Sequence, residues 1–441
     1  MNIYNTEKKP EKVILVGLQT NQKSKYDVEE SLEELTQLSK TLNLDVESSV
    51  MQRKNKPHSA YFIGPGKAKT IAKKAKNNGV KTLIFDDELT PSQERNLTKK
   101  TNLKIITRTQ LILDIFACHA NAKSSSLQIE LAQLQYDLSR LKGQWTHLSR
   151  MEGAMGARGP GEKQLEMDRR QVRDRISLLK SKLDNIEQST KVKRKKRNNF
   201  FSVSLVGYTN AGKTSLLNQL TSSTKYVADE LFATLETTSR KKTLSTNDTI
   251  ILSDTIGFIR KLPPTLISSF HATLLEVINA DLLLHVIDIT HPKIYEYLQT
   301  VFLTLEQIEA DDIQMLMIFN KIDLLPRKKY LFLKKKLRLD YPNSVFVSAK
   351  TGKNTEEIEK YIKEILLSKK NIIDFKIPIG DQKFISFLYD NGEIIKKRYN
   401  NKFTHLKVRL PKSLYKKRFD TIRKYQIKTK QLQSKEKVLH Q

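Results

Sequence analysis

The stretch GYTNAGKT, Gly207 to Thr214, spells Gly-x-x-x-x-Gly-Lys-Ser/Thr, a spacing whose chemistry is the grip on a polyphosphate. Gly207 and Gly212 let the backbone wrap closely enough for the N–H groups of Tyr208, Thr209, Asn210 and Ala211 to face phosphate. The helical SLLNQL that follows adds the positive end of its dipole. Lys213 can neutralise the β and γ phosphates, and Thr214 offers a hydroxyl to Mg²⁺, whose charge a triphosphate needs to reach an in-line transition state. Alone, the string fits ATP as well as GTP.

Residues further along decide between them. Asp254 ends the apolar strand TIILSD, where its carboxylate can hold a metal-bound water; Thr255, Ile256 and Gly257 follow, and the Gly257 N–H can meet the γ-phosphate. Asn320, Lys321, Ile322 and Asp323 follow the strand IQMLMIF. Asp323 can accept hydrogen bonds from guanine N1–H and the 2-amino group, whereas adenine would leave that carboxylate unpaired, so GTP is favoured. Asn320 can brace the base edge, Lys321 can cover the base face, and Ser348, Ala349 and Lys350 can supply backbone donors to the purine oxygen. The loop LFATLETTSR, with Phe232, Ala233, Thr234, Leu235 and Glu236, must close over the γ-phosphate and Mg²⁺. Thr234 is the hydroxyl of choice there, with Thr237 and Thr238 competing. The expected catalytic set is Lys213, Thr234 and Gly257; Thr214, Thr234 and, through water, Asp254 would hold the metal. Phe258 stands where many nucleotide hydrolases place a water-orienting glutamine, so hydrolysis by the isolated chain should be slow.

These strings need strands that end beside one another. From FFSVSLV onward, strand and helix patterns alternate as in a doubly wound sheet, which places a GTPase domain at residues 200–370. Residues 1–120 alternate VILVGL, TLIFDD and LKIIT with helical segments, an α/β subdomain with a mainly parallel sheet. Between them, Leu127, Leu131, Leu134, Leu138, Leu141, Trp145 and Leu148 form one apolar seam and Val172, Ile176, Leu179, Leu183 and Ile186 another. Residues 121–190 therefore predict an antiparallel helical hairpin with the glycine-rich MEGAMGARGPGEK at its tip. Arg150, Arg158, Lys163, Arg169 and Arg170 flank that tip and can approach an RNA backbone. The run KVKRKKRNN, residues 191–199, reads as a hydrated basic linker. Residues 371–441 predict a small C-terminal α+β domain with short strands, an Asn391-Gly392 turn and a basic helical tail. The fold class is thus α/β and multidomain.

The 441 residues suit roughly two to four domains. Lys and Arg number 78 against 48 Asp and Glu, a formal charge of +30 that attracts polyanions, nucleic acid first. Cys118, the one cysteine, sits in the apolar run LILDIFACHA and is expected in the core. The N-terminal MNIYNTEKKPEK lacks a signal-peptide pattern and no apolar run approaches the ~18 residues of a membrane span, which predicts a cytoplasmic protein. No His-x-x-x-His pair or cysteine partner supports structural zinc.

The chain closely resembles the HflX family of translation-associated GTPases in the Obg-HflX group. Besides the nucleotide strings, the likeness rests on IGPGKAKTI near Gly64, RTQLILDIFA near Leu111, LQIELAQLQYDLSRLKG from Leu127, RGPGEKQLEMDRR from Arg158 and LFATL from Leu231. The resemblance implies that Thr234 is the switch threonine, that Mg²⁺ accompanies GTP, and that the chain is a monomer off the ribosome. It further implies binding to the large ribosomal subunit and to 70S ribosomes, with rRNA contact through Arg158, Lys163 and neighbouring cations, and GTP-dependent splitting or rescue of stalled or idle ribosomes. The chain departs from the family at Lys163, where Thr is usual, and at Glu236 and Thr237, where Asp-Pro is common. Two alternatives stand beside this expectation: a GTP-gated ribosome assembly factor, and an RNA-binding or RNA-remodelling protein with broader nucleotide use.

Overall fold

The computed structural model describes residues 10–120, 122–141, 160–195, 200–222, 238–244, 248–261, 271–400 and 402–427. The chain forms two compact units, residues 1–355 and 356–441.

The first unit opens with a four-stranded parallel sheet, ordered β2-β1-β3-β4, of β1 (Lys12–Gln19), β2 (Asp45–Arg53), β3 (Thr82–Phe85) and β4 (Lys104–Thr107). Strand β1 is buried on both faces, and the period of two along VILVGL sorts its side chains. Val13 and Leu15 face α1 (Lys25–Thr41) and α4 (Arg108–His119), while Ile14 and Val16 face α2 (Pro65–Asn78) and α3 (Pro91–Thr101). Helices α1, α3 and α4 each begin with a reciprocal capping box, Ser24–Asp27, Thr90–Gln93 and Thr107–Gln110, which satisfies two orphan backbone donors apiece. Strand β2, with its polar DVESSVMQR, carries too weak an apolar alternation to be read from sequence.

Helix α5 (Lys123–Leu141) has two working faces. One bears the seam residues Leu127, Leu131, Leu134 and Leu138, and α5 packs against α6 (Pro160–Lys195), with Arg175 Nη2 2.6 Å from Glu130 Oε1. The other buries Ile129, Ala132 and Tyr136 in the core under β1 and α4. The Tyr136 hydroxyl lies 2.8 Å from Thr107 Oγ1 and donates to Glu88 at 3.1 Å, and Arg140 pairs with Glu94. The arm is therefore built into the N-terminal sheet layer. The tip residues 142–159, with Arg150 and Arg158, lie outside the described residues; Lys163 falls in the first turn of α6, and Arg169 and Arg170 lie further along it.

Three sequence expectations are corrected here. Cys118 is exposed, because it lies off the stripe of Leu111, Ile112, Ile115 and Phe116 that faces the core. Helix α6 continues through Lys195, so the first half of the basic run is helical rather than linker. Asn391-Gly392 makes no hairpin turn: Asn391 ends a helix and Gly392 enters the next strand.

The second sheet of this unit has the order β10-β9-β8-β5-β7-β6, parallel except for β6 against β7. Its strands are β5 (Phe201–Val206), β6 (Thr238–Thr243), β7 (Thr249–Asp254), β8 (Leu282–Asp288), β9 (Met315–Asn320) and β10 (Ser344–Phe346). Helices α7 (Lys213–Thr221), α8 (His271–Ile278), α9 (Ile294–Gln307) and α10 (Arg327–Asp340) connect them. Val206, Phe258, Leu283 and Val301 share one apolar cluster with Leu35, Ile112 and Ile129, so the two sheets' layers meet in a continuous core.

The second unit begins with α11 (Thr355–Ser368) and holds an antiparallel sheet, β11-β13-β12, of β11 (Lys370–Pro378), β12 (Glu393–Tyr399) and β13 (Phe403–Pro411). One sheet face, with Ile373, Phe375, Leu406 and Val408, packs on Phe384 and Leu388 of α12 (Gln382–Asn391) and Ile422 of α14 (Phe419–Tyr425), and α13 (Lys412–Lys417) leads from β13 to α14.

Candidate nucleotide site

The loop from Gly207 to Gly212 sits at the carboxyl end of β5, between β7 and β8, where open α/β sheets bind ligands. Its two glycines are obligatory. Gly207 has φ +148°, and a Cβ there would lie 2.2 Å from the Val286 carbonyl oxygen; Gly212 has φ +93°, and its Cβ would meet Asn320 Nδ2 at 2.3 Å. Lys213 Nζ folds back over the loop and donates to the carbonyls of Gly207 (3.1 Å) and Tyr208 (2.8 Å), lining the concavity that a phosphate chain would fill. Burial pushes the Lys213 amine down to about 8, against the opposing pull of Asp254. Thr214 donates to Asp254 Oδ2 at 2.7 Å. That pair of hard oxygen donors, one from the helix start and one from the end of β7, is a donor set suited to Mg²⁺.

The segment after Asp254 is stitched to this loop through its backbone. Thr209 N donates to Phe258 O (2.8 Å) and Phe258 N to Gly207 O (3.0 Å). Gly257 passes so close that a Cβ would stand 2.7 Å from Thr209 Cγ2 and 2.9 Å from Lys213 Nζ. The Phe258 ring is buried at 2% exposure in the core cluster, and Thr255 donates its hydroxyl to Leu205 O at 2.6 Å beneath β5. The ring thus anchors the segment and leaves Gly257's backbone facing the loop.

Asn320 ties the loop to the remaining strings. It donates to Ala211 O at 2.9 Å and accepts from Ala349 N at 2.9 Å, so a single buried amide fixes the phosphate loop against the Ser348–Lys350 turn. Lys321, at φ +65°, pairs with Asp288 at 2.7 Å. Asp323 lies exposed in the short 3₁₀ turn Ile322–Leu324, and Ser348 and Ala349 are buried at the carboxyl end of β10. Phe232, Ala233, Thr234, Leu235 and Glu236, with the competing Thr237, lie outside the described residues, and Thr238 opens β6.

Around this site lies a layer of contacts that no short string announces. The Tyr208 hydroxyl donates to Glu34 on α1 and accepts from the backbone N–H of Arg260 (2.9 Å), and its ring stacks on Tyr297 with centroids 3.9 Å apart. Burial first, and then the charge of Glu34, hold this phenol well above its ordinary value, so it stays a donor. Arg260 pairs with Glu30 (2.9 Å) and Glu296, and Lys261 with Asp86 and Asp87 (3.1 Å). Lys293 meets Asp27 and Glu30 (3.0 Å). Behind them Arg108, 2% exposed, pairs with Asp86 (2.8 Å) and Glu34. Burial works against the Arg108 charge, and Glu34 and Asp86 outweigh it, so its pKa stands above the usual arginine value. The acidic DVEESLEEL of α1 and the basic FIRK after Gly257 carry this complementarity in sequence, but only the fold shows that they meet.

A doubly wound sheet with a glycine-lined phosphate loop, an Asp-x-x-Gly segment and an Asn-Lys-x-Asp turn defines a P-loop GTPase, an enzyme that hydrolyses GTP. Residues 29–117 match the family described as GTP-binding GTPase N-terminal, residues 119–197 the GTP-binding GTPase middle region, and residues 202–321 the 50S ribosome-binding GTPase. GTPase HflX of Flavobacterium psychrophilum is 42% identical over 372 residues, covering 80% of this chain and 90% of its own, and that of Escherichia coli K12 is 39% identical over 390 residues, covering 87% and 90%. A GTP-binding protein from Sulfolobus solfataricus, solved with GDP, is 27% identical over 80% of this chain and 98% of its own, with a TM-score of 0.43. The chain belongs to the HflX family of GTPases. Among the described residues no helix is long and apolar enough to cross a membrane.

Proposed function

We propose that this GTPase binds the large ribosomal subunit and the 70S ribosome in its GTP form, splits stalled or idle ribosomes, and leaves on hydrolysis. The observation that carries the reading is the tie between the nucleotide-sensing segment and the layer that bears the arm. Gly257 abuts the phosphate loop, while three and four residues on Arg260 and Lys261 are ion-paired to Glu30, Asp86 and Asp87. That layer holds α5 through Tyr136 and Arg140. A γ-phosphate that draws in Gly257 therefore acts on a segment already gripped by the arm's base, the differential contact that a nucleotide-driven change requires. The match of residues 202–321 to a 50S ribosome-binding GTPase supports the partner.

In this reading the N–H groups of Tyr208 to Gly212 and the α7 N-terminus cradle the β-phosphate, and the Lys213 ammonium spans β and γ oxygens. Gly257 N–H meets the γ-phosphate, and Asp323 selects guanine. Thr214, Thr234 and, through water, Asp254 would hold Mg²⁺, which would supply charge neutralisation on the phosphate oxygens. Since the Phe258 ring is committed to the core, that position offers no polar side chain to the attacking water. Turnover by the free protein is therefore slow, of order 10⁻⁴ to 10⁻² per second, and the ribosome adds about three to five decades.

Sedimentation of 70S particles with the protein and GTP, against a non-hydrolysable analogue, tests this. Free subunits appear with both nucleotides and the protein is retained on the large subunit with the analogue; intact 70S particles in both gradients would exclude splitting and leave the assembly-factor alternative.

A further inference from the structure

We infer that the uncovered face of the C-terminal sheet is a second RNA-backbone contact, centred on Lys376, Lys396, Arg398 and His405. The inference rests on the ribosomal reading above for its biological partner, though not for its chemistry.

The sheet β11-β13-β12 is a half-sandwich. Along β13 burial alternates residue by residue: Thr404, Leu406, Val408 and Leu410 point to the helices, whereas Phe403, His405, Lys407 and Arg409 point away. Directly paired residues share a face, so β11 adds Ile372, Asp374, Lys376 and Pro378 to the second set. Strand β12 would break the pattern but for an irregularity between Ile394 and Lys396. That one-residue shift pairs Lys396 with Lys407 and Arg398 with His405, bringing both cations onto the open face.

The charges on this face are unevenly matched. At one end Arg409 pairs with Glu393 at 2.9 Å and Lys407 approaches Asp374 at 3.9 Å. At the other, the cross-strand row Lys376–His405–Arg398 contains no acid, and Lys396 stands beside it. Lys376, Lys396 and Arg398 are all exposed, and Lys376 Nζ sits 4.3 Å from the centroid of the Phe403 ring. Strands lie about 4.8 Å apart and alternate residues about 7 Å along a strand, so these groups form a flat grid of cations beside one aromatic ring. A phosphodiester chain presents charge at regular intervals and bases that stack on rings, and it fits such a grid. An anionic bilayer suits it less well, because the exposed Ile372 stands at the far, charge-paired end and the ring at the cationic end, Phe403, lies against the Lys376 ammonium.

The test uses the full chain carrying Lys376→Gln, Lys396→Gln and Arg398→Gln together, and a second form with Lys396→Glu alone on the exposed edge strand. The probe is a labelled 20-nucleotide single-stranded RNA of mixed sequence, titrated between 50 and 200 mM salt, with phosphatidylglycerol vesicles in parallel. Each phosphate contact contributes about 0.7 to the single-strand salt slope, so the triple form should lower the slope by about two, with GTP binding unchanged and vesicle binding equal to wild type. A slope that does not move, or a loss confined to vesicles, overturns the inference. Purified large subunits give the separating arm: wild-type protein that binds RNA with the expected slope but ignores the subunit refutes the ribosomal reading alone, whereas equal subunit binding by wild type and triple form refutes the sheet as a contact.

Discussion

The Tyr208 hydroxyl lies 2.5 Å from Glu34 Oε1, joining a phosphate-loop residue to a helix 174 positions earlier in the chain. The same oxygen accepts from the Arg260 N–H, so one phenol touches the candidate phosphate loop, the segment proposed to sense the γ-phosphate and the layer that carries the arm. The Tyr208 side chain is the hub of the interface.

Tyr208→Phe keeps the ring stacked on Tyr297 and deletes only the hydroxyl. Hydrogen bonds to charged groups contribute about 1.5–3 kcal/mol. Hydrogen exchange should show amides of α1 and Arg260 losing about 10- to 100-fold protection, with GDP affinity held within about threefold. Unaltered protection across α1 would show that the hydroxyl does not couple the two layers.

Gly257→Ala places a methyl group against Thr209 and Lys213, at the separations of 2.7 and 2.9 Å given above. The nearest backbone atom, Thr209 Cα, also lies at 2.9 Å and has no rotamer by which to yield. The segment must move off the loop, lengthening the Thr209 N to Phe258 O hydrogen bond. Single-turnover GTP hydrolysis on ribosomes should fall at least about tenfold, equivalent to roughly 1.4 kcal/mol of barrier, while GDP binding changes little. Wild-type turnover would remove Gly257 from the sensing role.

How much of this was legible follows from how local each feature is. GYTNAGKT and NKID are contiguous strings recognisable by their spacing alone, so their residues could be named before any fold was known, although it is Val286 and Asn320, far along the chain, that make Gly207 and Gly212 obligatory. The α12 segment shows the reverse: Asn391-Gly392 reads as a hairpin turn, yet Asp381 caps Phe384 N at 3.2 Å and the apolar residues Phe384, Ile385, Phe387 and Leu388 follow helical spacing. Cys118 could have been placed on the surface by that same period. The second face of α5 and the charges on α1 lay beyond reach, since Tyr136 finds Glu88 only once the N-terminal sheet layer has formed, and Arg260 finds Glu30 only once both sheets have.

Asp323→Asn exchanges an acceptor pair for one acceptor and one donor. Two hydrogen bonds to a carboxylate, at about 1.5–3 kcal/mol each, predict a loss of GTP affinity of about 10²- to 10⁴-fold. Xanthosine triphosphate carries a 2-oxo group where guanine has the amine, so its affinity should rise above that of GTP in the variant. Calorimetric titration of both nucleotides checks this, and retained guanine preference would place the base elsewhere.

The buried Lys213 amine gives the site a pH dependence with a definite sign. In the free protein burial lowers its pKa to about 8, so it is largely protonated at pH 7 and largely neutral at pH 9. The form that grips phosphate is the ammonium, and bound phosphate oxygens raise its pKa again. Nucleotide binding therefore takes up no proton well below pH 8 and approaches one proton above it. GDP affinity should be flat from pH 6.5 to 7.5 and then fall, nearing tenfold per unit by pH 9. Calorimetry in two buffers of different ionisation enthalpy measures the proton uptake directly, with Lys213→Ala, which should bind GDP weakly at every pH, as the reference. Affinity and proton uptake that stay constant through pH 9 in the wild type would mean that the ammonium is already secured without phosphate, and that burial does not tune this lysine.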